Sequence, residues 1–200
     1  MASLLHRIID YPPILDLMRR IIEANFRAEK KVIARELGSN PGSLLDLPCG
    51  TGLFSPLFPD SDYTGVDLGE KYVQRAQKKF LSKKFLVGDA LNLAFPDAHF
   101  DAVLTIGFLH HLDEADIVRS LSEIHRVLKP GGKFLLIEDC PTRSKWNFLG
   151  RFLQSQDAGG RIRPMAYYEQ VLLPKFTLEK SYPMRAGVWD YGIFLLQSKV

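Results

Sequence analysis

The stretch Leu44-Leu45-Asp46-Leu47-Pro48-Cys49-Gly50-Thr51-Gly52 is a short apolar run that stops at a glycine-rich turn. Gly50 and Gly52 lack a Cβ, so the backbone there can come close to a ligand. A helix after the turn would offer its unpaired N–H groups to a carboxylate or phosphate. A strand, a tight turn and a helix in that order open the binding crevice of a doubly wound sheet.

Downstream the pattern repeats. Tyr63-Thr64-Gly65-Val66-Asp67 leads into a helical stretch over 70–80, and Lys84-Phe85-Leu86-Val87 ends at Gly88-Asp89. A fourth run, 100–106, precedes a helix over 113–128, and Lys129-Pro130-Gly131-Gly132 feeds a fifth, 133–137. Short apolar strands alternating with helices describe an α/β fold, a mostly parallel doubly wound sheet covered on both faces. Past Cys140 two helical pieces, 146–156 and 167–173, precede strand-like runs 177–185 and 188–199. Joined near Ala186-Gly187, those runs read as a C-terminal antiparallel hairpin.

Upstream, apolar residues recur at helical spacing from Ile14 to Leu37, with Arg19, Arg20, Arg27, Lys30 and Lys31 between them. This is an amphipathic helix with a basic outer face, bounded by Pro12-Pro13 and by Gly38 with Asn40-Pro41-Gly42. Residues 1–42 therefore form an N-terminal helical cap on a single domain whose body is 43–200. The 200 residues are 46% hydrophobic and 24% charged, ordinary for a globular protein able to bury a core. A net charge of +3 tolerates an anionic partner without requiring one. Cys49 and Cys140 lack metal-ligand spacing and read as reduced thiols. No run is long enough to cross a bilayer, and charges interrupt the first apolar residues too early for a signal peptide, so a cytoplasmic location is expected.

Sheets of this kind bind ligands outside the carboxyl ends of their strands. Polar residues stand there in series: Asp46, Asp67 and Asp89 after the first three strands, His110 and His111 after the fourth. Asp67 lies 17 residues beyond Gly50, where a carboxylate can accept from both hydroxyls of a ribose. A Gly-x-Gly pair alone is shared by many dinucleotide enzymes. Here Ser55 stands where the third glycine of a nicotinamide or flavin fingerprint would be, which lowers the odds of those cofactors.

Taken together, Leu44–Gly52, Gly65-Val66-Asp67, Gly88-Asp89-Ala90, Phe95–Val103, Leu109-His110-His111-Leu112 and Glu123–Gly132 resemble the class I S-adenosylmethionine-dependent methyltransferases. That group includes the quinone-biosynthesis enzymes and the methyltransferase type 11 proteins, and the likeness spans 43–139. It implies a Rossmann-like sheet of seven strands. It also implies that Pro48, Cys49, Gly50, Thr51 and Gly52 cradle the amino-acid part of the cofactor, and that Asp67 with Leu68 holds the ribose. Asp89 would take the adenine amino group beside Ala90, while the stretch from Ile106 to His111, Gly107 included, would line the cleft near the sulfonium. The family usually has glycine where this chain has Pro48, and proline removes an N–H and fixes φ. Asp46 fits either this cofactor site or a capping role.

Methyl transfer from a sulfonium needs alignment in a dry cleft, and a base only when the acceptor's pKa is high. His111 is the candidate base, with a capping or structural histidine as the equal alternative. No metal is expected. The acceptor pocket falls to the cap and the segment after strand five, with Tyr11, Trp146, Arg161, Arg163, Tyr167, Tyr168 and Trp189 as candidates. There Arg161 and Arg163 would hold an anionic group and the aromatics an apolar body, or else the arginines are solvated and the aromatics core. Asp97 and Asp101 read as structural, and Glu123 with Arg126 as a surface pair. Lys71, Lys78, Lys79, Lys83 and Lys84 with Arg75 read as a solvated face, so no nucleic-acid partner is expected. A small-molecule methyl acceptor is the partner, without stable membrane insertion. A non-catalytic cofactor-binding module, a nicotinamide-dependent oxidoreductase, and a membrane-surface role for the basic helix are the rival readings.

Overall fold

The computed structural model describes residues 24–155 and 161–199. Helix α1 (Arg27–Glu36) precedes β1 (Ser43–Asp46), β2 (Asp62–Asp67), α2 (Glu70–Lys79), β3 (Lys84–Val87) and β4 (Phe100–Ile106). Then come α3 (Glu114–Val127), β5 (Leu128–Cys140), α4 (Phe148–Ser155), α5 (Met165–Leu172), β6 (Phe176–Ala186) and β7 (Trp189–Ser198). The strands form one seven-stranded sheet in the order β3-β2-β1-β4-β5-β7-β6. All neighbours from β3 to β5 are parallel, and β7 runs antiparallel between β5 and β6. The chain winds outward through β2 and β3, then returns across β1 to lay β4 on its other side. That reversal puts the switch point between β1 and β4.

Alternation along the central strands divides the core into two. Leu45, Val103, Phe134, Leu136 and Phe194 face α3, whose Ile117, Leu121 and Ile124 are spaced to meet them, together with Tyr168 of α5. Leu44, Ala102, Leu104, Leu135 and Ile137 face the other way, onto Val32 and Ile33 of α1 and Val73 and Ala76 of α2. Burial on both faces makes these strands continuous apolar runs, the signature of a covered parallel sheet. Asp113 caps α3 by accepting the Asp116 N–H at 2.9 Å.

Three expectations need correction. The first helix does not run unbroken to Leu37: residues before 24 lie outside those described, and Asn25 and Phe26 take left-handed φ values of 60° and 56°. Left-handed residues cannot continue a right-handed α-helix, so α1 starts at Arg27 after the 3-10 turn Ala24–Phe26, and the buried Phe26 ring packs edge-on against Phe54 at 5.7 Å. Nor does a full helix follow Gly52. Ser55 takes the Gly52 carbonyl with its N–H (3.1 Å) and hydroxyl (2.8 Å). Pro56, lacking an N–H, cannot extend the series, and only the 3-10 turn Ser55–Leu57 forms. Finally, Arg126 is more than half of a surface pair. It binds Glu123 (2.7 Å), Asp97 (2.8 Å) and the carbonyls of Leu93 (2.9 Å) and Phe95 (2.8 Å), tying the loop before β4 to α3.

Asp97 thus has a structural partner, and so has Asp101. Its carboxylate accepts from the Ser43 hydroxyl and the Lys129 ammonium, both at 2.7 Å, which holds its pKa down at about 2.

Candidate functional site

A cavity of about 600 Å³ lies at the carboxyl ends of β1, β2 and β4, over the switch point. Its floor is built by the ends of adjacent strands. Asp46, the last residue of β1, is buried and accepts the Tyr63 hydroxyl of β2 at 2.6 Å. Burial pushes its carboxyl up to about 7, against the opposing Tyr63 bond and with the charge of Asp67 adding to the rise. Asp67, at the end of β2, accepts the Gly50 N–H with one oxygen and the Gly69 N–H with the other, each at 2.8 Å. Burial raises its pKa too, and those two N–H groups counter it. The loop after β1 is therefore stitched to the tip of β2 through a carboxylate.

Gly50 holds φ at +52°, and no atom lies within 4 Å of where its Cβ would be. The loop keeps that space clear by having no side chain there. Gly52 serves differently: its missing Cβ would lie 2.7 Å from the Phe85 ring, so it lets the loop pack down onto β3. Of the residues expected to hold a cofactor, Asp46, Pro48, Cys49, Gly50, Thr51, Asp67, Leu68, Asp89, Ala90, Ile106, Gly107 and His111 all line the cavity, and Gly52 does not, being packed against Phe85 and Ala76. The Leu47–Pro48 peptide is cis. Asp89 is exposed at the rim, where its carboxylate accepts the Leu91 N–H at 2.9 Å and shapes the turn.

The wall after β4 is organised from behind. Glu138, fully buried near the end of β5, accepts the N–H groups of Phe108 (3.1 Å) and Leu109 (2.7 Å) with one oxygen. Its other oxygen meets His110 Nδ1 at 2.6 Å and the Asp139 N–H at 3.1 Å. His110, Glu138 and Asp139 bring three ligand-type atoms within 4.8 Å. Both Glu138 oxygens are engaged by hydrogen bonds, so the cluster acts as a buried brace for the 3-10 turn Leu109–His111. His110 is held inside by that brace, and its ring lies 3.9 Å from that of His111, which faces the cavity.

The acceptor candidates lie elsewhere. Tyr11 is outside the described residues, and Tyr168 is a core side chain. Arg163 binds the carbonyls of Leu109 (3.5 Å) and Leu112 (3.2 Å) and the Glu114 carboxylate (2.9 Å), with its guanidinium over Tyr167. Tyr167 donates to the same Glu114, and Arg161 reaches the His111 carbonyl at 3.4 Å. Both arginines grip the 109–112 turn from outside, and none of these four side chains lines the cavity.

What the sequence reading missed is Glu138 and the aromatic wall of Phe26, Phe54 and Tyr72, which Phe108 of the expected 106–111 stretch completes. A signal for Glu138 existed: a carboxylate within the apolar run Leu135-Leu136-Ile137-Glu138 must find donors if the strand is buried.

Residues 45–136 match the family model described as a methyltransferase domain. The chain is 35% identical over 143 residues to the demethylmenaquinone methyltransferase of Thermotoga maritima, an alignment covering 68% of this chain and 61% of that protein. It is 33% identical over 144 residues to a protein of Synechocystis sp. described as an uncharacterized methyltransferase, covering 69% and 68%. The chain spans about three fifths of the length of the Thermotoga relative. Among solved structures, the PH0226 protein of Pyrococcus horikoshii OT3 superposes over the whole of both chains with a TM-score of 0.76 at 23% identity, a likeness of fold.

Proposed function

The chain belongs to the class I S-adenosylmethionine-dependent methyltransferases, and from that premise we propose that it binds S-adenosylmethionine at the β1–β4 switch point and methylates a small, largely apolar acceptor. The observation that carries this reading is the convergence of residues from four separate strand ends on one cavity. The residues fit the group. The clear space over Gly50 leaves room beside two carboxylates, and Leu68, Ala90 and Ile106 supply apolar surface for a base. When bound, the cofactor supplies a methyl on a positively charged sulfur, already a good leaving group.

In this reading Asp67 accepts the ribose hydroxyls, Asp46 places negative charge near the cationic end, and the Pro48–Thr51 backbone holds the amino-acid part. Asp89 takes the adenine amino group. Phe26, Phe54 and Phe108 exclude water and hold the acceptor's apolar body. His111 takes the proton the acceptor loses, at an imidazole nitrogen. Arg161 and Arg163 act by holding the turn that carries His111. The aromatic wall and the name of the Thermotoga relative both favour an apolar ring as acceptor, and the product of the cofactor is S-adenosylhomocysteine.

Calorimetric titration with S-adenosylmethionine, S-adenosylhomocysteine and NADH tests the cofactor: the two adenosyl ligands bind and NADH does not. Asp67→Ala weakens adenosyl binding about 10- to 100-fold through the lost charge-assisted bonds. Unchanged affinity in that variant would remove Asp67 from the site. With demethylmenaquinone as first acceptor, His111→Ala lowers kcat about 100-fold or more while adenosyl affinity stays within a few-fold of wild type. Full turnover in His111→Ala would leave the acceptor's proton to water.

A further inference from the structure

Helix α4 and the turn before it expose four large apolar side chains within residues 146–152. Trp146 is 83% exposed, Phe148 68%, Leu149 56% and Phe152 61%. At 100° per residue Phe148, Leu149 and Phe152 fall within one arc of about 100°. The opposite side is fixed to the body. Gln154 donates to the Cys140 carbonyl and accepts the Thr142 hydroxyl, each at 2.8 Å. Gly150 lies so close that a Cβ would be 2.4 Å from the Val188 carbonyl. The apolar arc is therefore turned outward by the same contacts that seat the helix.

Charge adds a second, independent observation. Residues 141–156 carry Arg143, Lys145 and Arg151 and no acidic residue. Arg143 is tied to Asp190 at 3.1 Å, while Lys145 and Arg151 are exposed beside the aromatics. The helix follows the carboxyl end of β5 and packs where β7 begins, on the same edge of the sheet as the cavity.

We propose that this face docks on an anionic lipid surface, with Trp146, Phe148, Leu149 and Phe152 in the headgroup boundary and Lys145 and Arg151 on the lipid charges. Exposed aromatics flanked by cations, with no carboxylate among them, are what an interfacial helix needs. A second copy is a poor occupant, since a two-fold contact would bring Lys145 and Arg151 toward their own images with no acid in the segment to offset them. Docked there, the cavity edge of the sheet lies next to the bilayer, within reach of an apolar acceptor dissolved in it.

The test is co-sedimentation of the full chain with vesicles of phosphatidylcholine alone and of phosphatidylcholine mixed with phosphatidylglycerol. The wild type pellets with the mixed vesicles at low salt, and Trp146 emission, taken as the difference from Trp146→Phe, moves to the blue. Phe148→Ser with Phe152→Ser lowers partitioning at least about tenfold, from the apolar area no longer buried. Lys145→Glu with Arg151→Glu lowers it on the anionic vesicles alone. All four side chains are exposed, so melting temperature stays at the wild-type value in both variants. Failure to pellet with either vesicle overturns the proposal, as does pelleting undiminished by the serine pair. Trp146 emission already blue without lipid would assign the face to another part of the chain. A dimer, or a complex with an acidic protein, that the serine pair abolishes in the absence of vesicle binding would assign it to a protein partner. Either result sinks the lipid reading.

Discussion

Asp46 and Asp67 end neighbouring strands, and the cavity places both carboxylates where water is scarce. For Asp46 burial raises the pKa from the usual aspartate value of 3.8 to about 7, despite the Tyr63 bond. A carboxyl whose pKa rises on folding stabilises the fold below its unfolded value, and that contribution is lost as pH climbs through the folded one. Asp46→Asn keeps an acceptor for the Tyr63 hydroxyl and removes the charge. Its melting temperature relative to wild type therefore climbs between about pH 4 and pH 7 and levels off above. Melts of the two unliganded proteins across that window check it, and a difference flat with pH would mean the charge penalty is absent. Residues such as Asp46, Asp67 and Asp89 were legible because each follows a strand run, and the fold fixes what strand ends do. For Tyr168 the core alternative held, whereas the grip of Arg161 and Arg163 on the 109–112 turn was not legible, because nothing in a loop's sequence says which carbonyls its side chains will reach.

Among the elements, the loop after β4 depends on a residue 30 positions away: Glu138 satisfies the N–H groups of Phe108 and Leu109 and orients His110. Glu138→Ala would take the acceptor away from the N–H groups of Phe108, Leu109 and Asp139 and remove the nearest partner of His110 Nδ1, at a cost on the order of 3 kcal/mol. Hydrogen exchange should quicken at residues 108–111 more than elsewhere, and adenosyl affinity should fall with it. Protection lost evenly across the sheet would instead mark Glu138 as a general core residue. Six of the seven strands could be read in the sequence to within a residue or two, and the central ones have few ways to hide an apolar run buried on both faces. β5 alone runs longer than expected, from Leu128 to Cys140, because its backbone stays extended through Lys129-Pro130-Gly131-Gly132 where a turn was expected. Two helical expectations failed for local reasons. Asn25 is a residue type that takes left-handed backbone readily, but nothing announces it for the bulky Phe26 beside it. That Ser55 takes the Gly52 carbonyl with both its N–H and its hydroxyl, while Pro56 has no N–H to offer it, becomes visible only once the turn is folded.

For the molecule as a whole, the sheet is the partition between two cores, and Leu104 is fully buried in the one beneath α1 and α2. Leu104→Ala should cost about 2–5 kcal/mol, which for a chain of this size lowers the melting temperature by roughly 5–15 °C. A loss below a degree would mean that the core beneath α1 and α2 closes over the gap. The strand order has one more consequence, for behaviour at high concentration. Its outermost members are β3 and β6, and any open strand edge is a template on which another chain can polymerise. β3 offers only four residues, with Lys83 and Lys84 at its start. β6 is long enough to be hazardous, but Pro183 withholds a donor there and exposed Glu179, Lys180 and Arg185 leave charge along it. Both margins of the sheet are thereby closed to growth into fibrils, and the apolar central strands stay out of reach of neighbouring molecules.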